Sequence, residues 1–117
     1  MSCSVRHIEL LAPAKDYQSA IDAIDCGADA VYIGAGRFGA RYAATNSVED
    51  IALAVKYAHR FGAKVYVTLN TLLYDDELAA AKAQAEELVA AGVDALIVQD
   101  MAYCRMGLKV PLHASTQ

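Results

Sequence analysis

Three polar residues alternate along "VPLHASTQ": His113, Ser115 and Gln117 fall on one face of an extended chain, while Leu112 and Ala114 fall on the other. A histidine titrating near neutrality can move a proton, and a serine two residues away becomes a nucleophile if a base activates it. Asp100, which follows an earlier apolar run, would be the third member of an acyl-transfer set, so His113, Ser115 and Asp100 are the catalytic candidates. The plainer alternative is a neutral core histidine bonded to Ser115 or a neighbouring loop, because buried polar groups find partners. A position in a polar block at the C-terminal end of an apolar run favours the functional reading.

Arg37 and Arg41 lie in the glycine-rich "GAGRFGAR". They would clamp a carboxylate or phosphate, which guanidinium groups bind with two parallel hydrogen bonds; the alternative is a solvated loop with one structural ion pair. The glycine spacing is not GxGxxG and no amphipathic helix opens directly on it, so a dinucleotide site is discounted. Tyr32, Asn70, Gln99 and Gln117 join the two arginines as substrate-binding candidates. His7, His59 and His113 are scattered, so no helical histidine pair supports a zinc peptidase. Tyr57, Tyr66 and Tyr74 read as core or rim residues rather than a nucleic-acid stacking surface. His59 reads as a surface residue favoured by the dipole at its helix end.

Repeated units position these side chains. "DCGADAVYIGAG", "RFGAKVYVTLN" and "AAGVDALIVQD" each join a helix end, a glycine and a β-branched run. Gly27, Gly62 and Gly92 suit the left-handed residue that stops a helix. The runs 30–34, 64–70 and 95–99 are nearly unbroken, as in strands buried on both faces. Helices are predicted over 16–26, over 48–61 with Asn46 or Ser47 as cap, and over 75–91. An opening strand at 8–12, a short helical stretch at 100–107 and a closing strand at 110–115 complete a parallel α/β chain. Two closures fit: about five strands from the N-terminal portion of a (β/α)8 barrel, or an open doubly wound, flavodoxin-like sheet. Tyr66, Thr68 and Asn70 share one polar face near their strand's end, as do His113, Ser115 and Gln117, and a barrel accounts for this by pointing such ends into a common site.

The chain's 117 residues suffice for one domain, and 56% hydrophobic content with a mean hydropathy of +0.25 implies apolar surface awaiting a cover. No run approaches the roughly 18–20 residues of a membrane helix. The N-terminus lacks a signal peptide's apolar segment, so a cytoplasmic location is expected. A net charge of −4 lends no support to a general nucleic-acid surface. Cys3, Cys26 and Cys104 are odd in number and widely spaced, which argues against a disulfide framework or a self-contained metal site; Cys26, near a helix end, reads as core.

Six blocks, "ELLAPA", "GADAVYIG", "FGAR", "YVTLNTLLYDDEL", "GVDALIVQD" and "PLHASTQ", occur in order across nearly the whole chain, and together they resemble the N-terminal part of the peptidase U32 family, the collagenase-like proteases. Lys15 departs from the glycine that the family commonly has after "LAPA". The resemblance implies a TIM-type barrel in a protein several times longer. It also implies an activity either as a peptidase or in oxygen-independent hydroxylation of transfer RNA, ribosomal RNA or a ubiquinone precursor. An iron–sulfur cluster is implied for some members, on cysteines downstream of the "HASTQ" block and so beyond residue 117. The expectation is therefore a single partial barrel domain over 1–117, a fragment inactive by itself, with no cofactor of its own; a non-catalytic binding module is the remaining alternative. Its open sheet edges would invite a homo-oligomer joined at the first or last strand.

Overall fold

The computed structural model describes residues 9–35, 46–69 and 73–114. In chain order the elements are β1 (Leu11–Ala14), α1 (Tyr17–Asp25), β2 (Ala30–Gly34), α2 (Val48–Arg60), β3 (Lys64–Leu69), a 3-10 turn (Asp75–Glu77), α3 (Leu78–Ala91), β4 (Ala95–Val98), a 3-10 helix (Met101–Arg105) and β5 (Leu112–Ala114). The first two helices begin where a side chain satisfies an otherwise unpaired amide. Asp16 accepts from the Ser19 amide at 2.8 Å to open α1, and Ser47 accepts from the Asp50 amide at 3.1 Å to open α2. Glu49 and Asp50 in the first turn of α2, and His59 and Arg60 in its last, complement the helix dipole. The glycine stops take left-handed φ values of 103° at Gly27, 73° at Gly62 and 96° at Gly92.

The five strands form one parallel sheet in the order β1-β2-β3-β4-β5. Consecutive parallel strands joined by right-handed crossovers place every helix on the same side. Val31, Ile33, Val65, Val67, Leu69, Leu96 and Val98 accordingly share one core with Ala20 and Ile24 of α1, Ile51, Ala54, Val55 and Ala58 of α2, and Ala81, Ala85 and Leu88 of α3. A doubly wound sheet would reverse its strand order and carry helices on both faces, so the sequential order identifies a segment of a (β/α) barrel. Among the described residues no helix is long and apolar enough to cross a membrane.

Local differences from the sequence expectation have physical causes. β1 runs 11–14 rather than 8–12; Ile8 lies outside the described residues. The Leu10 amide is taken by the Asp29 carboxylate at 2.8 Å instead of a ladder partner, and Pro13 brings no N–H to the ladder. Asp94 repeats the device one unit on, accepting from the Val65 amide at 2.8 Å while lying 2.9 Å from His59 Nε2. His59 is thus a surface residue with a cross-element partner. The third helix opens with a 3-10 turn because the Glu77 carboxylate reaches back to the Tyr74 amide at 2.8 Å. Cys26 is exposed rather than core: it caps α1 at its solvent end.

Candidate functional site

Side chains alternate across the sheet, so the face turned away from the helices carries its own series. The register sets Pro13, Tyr32, Tyr66 and Ala95 at one level, and Gly34, Thr68, Ile97 and His113 at the next, nearer the strands' C-terminal ends. Tyr66 is 8% exposed and packs with Ala30, Ala95, Tyr32 and Ile97 in a small cluster separate from the main core. Its hydroxyl donates to Glu9 Oε2 at 2.9 Å, and its ring lies 5.6 Å from that of His113, tilted by 51°. Burial, aided by the hydrogen bond to Glu9, pushes the Tyr66 phenol up to about 12. At neutral pH it is therefore a proton donor anchored at its tip, which fixes the ring. Glu9, Tyr66 and His113 form a continuous line from the lead-in of β1 through β3 to β5.

Of the residues expected from sequence, Tyr32 is half-buried beside Tyr66, His113 is exposed against its ring, and Gln99 is exposed just past β4. Asp100 is used locally. Its Oδ2 accepts from the Leu73 amide at 2.7 Å and its Oδ1 from the Ala102 amide at 2.8 Å, capping the 3-10 helix. These two amides hold its carboxyl below the ordinary carboxylate range. Among the described residues no hydrogen bond joins Asp100 to His113. Arg37, Arg41, Asn70, Ser115 and Gln117 lie outside the described residues. Sequence reasoning passed over Glu9 as a site residue, because its partner is 57 positions away and only the closed register brings the two together. Tyr66 carried a signal, alternation with Thr68 on a polar face, yet was read as packing.

Among the described residues no three His, Cys, Asp or Glu side chains converge to hold a metal ion, and Cys26 and Cys104 are both exposed and unpaired. The described part of the chain therefore offers no ligand set for an iron–sulfur cluster.

Parallel strands in sequential order with helices on one face define a segment of a (β/α)-barrel protein, and polar side chains on the other face, toward the strands' C-terminal ends, form its candidate site. The crystal structure of phosphonopyruvate hydrolase has this fold, matching with a TM-score of 0.60 and 16% identity over 93% of this chain and 46% of that one. The chain belongs to peptidase family U32, whose family model matches residues 15–117. It is 54% identical, over its whole length, to 18% of the 23S rRNA 5-hydroxycytidine C2501 synthase of Escherichia coli (strain K12). It is 38% identical, over 93% of its length, to 27% of the tRNA hydroxylation protein P1 of Bacillus subtilis (strain 168). The chain thus spans 18% to 37% of the length of these and similar curated relatives.

Proposed function

We propose that this chain supplies part of the barrel of an RNA hydroxylation protein that acts on a cytidine of ribosomal RNA. The observation that carries the reading is 54% identity over the whole chain to the E. coli 23S rRNA 5-hydroxycytidine synthase. The site agrees in chemistry. A planar base is held by aromatic faces and read by hydrogen bonds at its edge, and the inner face offers Tyr32, Tyr66 and His113 with Gln99 near the mouth. Arg37 and Arg41 are assigned to backbone phosphates, in keeping with guanidinium recognition of anions. Ser115, Asn70 and Gln117 are assigned to the same rim from their alternation in sequence. An iron–sulfur cluster in the whole protein is assigned to cysteines other than Cys26 and Cys104, which are exposed and join no convergent ligand set among the described residues.

The family name keeps a peptidase in view. That reading needs a base oriented by a third group, and Asp100 already spends both oxygens on backbone amides. The deciding experiment places the full-length protein in an E. coli strain that lacks the C2501 synthase and measures 5-hydroxycytidine in digested 23S rRNA. Restored modification is expected. Unmodified rRNA, with cleavage of denatured collagen by the same purified protein, would establish the peptidase instead.

For assembly, we propose that the 117-residue chain expressed by itself associates through β1 or β5, the strands that leave backbone groups unpaired at the sheet's edges.

A further inference from the structure

The level nearest the strand ends is uneven. Gly34 presents no side chain there, and the only atom within 4 Å of where its Cβ would stand is Thr68 Oγ1, at 3.5 Å among the described residues. Thr68 itself is small and half-buried, and among the described residues its hydroxyl makes a long 3.5 Å contact to the Ile33 carbonyl. Beside them rise Ile97 and His113; below them stand Tyr32 and Tyr66. The row from Gly34 to His113 spans roughly 14 Å, at about 4.8 Å per strand. By side-chain size the level dips at Gly34 and Thr68 and rises at Ile97 and His113, a hollow above the two tyrosines with two polar handles, the Thr68 hydroxyl and the His113 imidazole.

We propose that this hollow is the slot for one extruded pyrimidine base, with Gly34 as the residue that sets its depth and His113 as the wall that reads the base edge. The proposal rests on the RNA reading above. Enzymes that modify a base draw it out of its stack into a pocket that combines aromatic contact with hydrogen bonds to the edge. Half-buried Tyr32 suits the aromatic part, packed beside Tyr66, whose buried ring Glu9 holds before any substrate arrives, so little ordering remains to be done on binding. Gly34 suits the floor because its φ is not in the left-handed region, so the strand does not require glycine for its conformation. Its lack of a side chain leaves the space open.

The test uses the full-length protein. Gly34→Val puts a β-branched residue, at home in a strand, into the hollow; Gly34→Ala fills it in part, with an added Cβ in ordinary contact with Thr68. Thermal unfolding checks that both variants remain folded. A 23S rRNA fragment carrying 5-bromocytidine at the target position is irradiated with each protein, and the crosslinked peptide is sequenced. The wild type is expected to crosslink within β2, β3, β4 or β5, and Gly34→Val to lose that crosslink. Gly34→Val should also raise KM for hydroxylation about ten-fold or more, with Gly34→Ala between it and the wild type. His113→Ala should weaken the crosslink, and His113→Gln should restore part of it. A crosslink that persists in folded Gly34→Val, or one that maps only outside these strands, overturns the slot. The hydroxylation reading is judged separately: wild-type protein that crosslinks at Tyr66 but forms no 5-hydroxycytidine retains the slot and defeats that reading, whereas modification with crosslinks elsewhere does the reverse.

Discussion

Tyr66 and Asp100 divide the polar work of the site between them. Tyr66 holds a ring in place: its bond to Glu9 is a single directed contact, and Tyr66→Phe is expected to cost about 1 kcal/mol of stability while leaving the ring on the sheet. Asp100 holds a loop. Its carboxylate joins the segment entering the 3-10 turn before α3 to the 3-10 helix after β4, so Asp100→Ala is expected to cost about 1–2 kcal/mol, measured by urea unfolding. Because the folded carboxyl lies below its ordinary value, the contribution is complete above about pH 4 and disappears as the pH falls through the depressed value. The gap between wild type and Asp100→Ala should therefore close on acidification and stay constant from neutrality upward. A gap that widened in acid would show that the carboxylate is not what holds the loop.

The helix ends carry the next level of control. At Gly92 the φ is 96° and an added Cβ would come 3.3 Å from Val55 Cγ1 on α2, so Gly92→Ala meets backbone strain and crowding together. A loss of about 1–2 kcal/mol is expected by thermal unfolding, more than the about 1 kcal/mol for removing the Ser47 cap with Ser47→Ala. These stops and caps were legible in the sequence because each depends on one residue type at one place. β2, β3 and β4 were legible for a similar reason, since an unbroken Val/Ile/Leu run between a glycine and a turn has few other uses. The ends of β1 and β5 were less so. Asp29 and Asp94 cap the neighbouring strand rather than their own, and such reach across the sheet leaves only a faint trace, the Gly-x-Asp spacing shared by "CGADA" and "AGVDA". The site was legible to a similar degree. Polar alternation marked the faces that carry Tyr66 and His113, whereas the pairing of Glu9 with Tyr66 depends on register, which single segments do not encode.

At the scale of the molecule, the helices among the described residues all pack on one face of the sheet. For the chain alone, the unpaired backbone of β1 and β5 together with exposed Leu10 and Leu11 near β1 is expected to give dimers or larger species in light scattering. A Pro or Lys placed on β5 should shift them toward monomer, and a wild-type chain that stays monomeric at high concentration would exclude edge pairing. The sequential strand order also has a bearing on time. Each strand pairs with the one made just before it, and the widest ladder gap runs only from Ala30 to Lys64. A ribosome adds about 5–20 residues per second, while helices and short loops close in microseconds or less. Every strand–helix unit can therefore dock on the edge left by its predecessor before the next emerges, so that the sheet is laid down in the order in which it is translated.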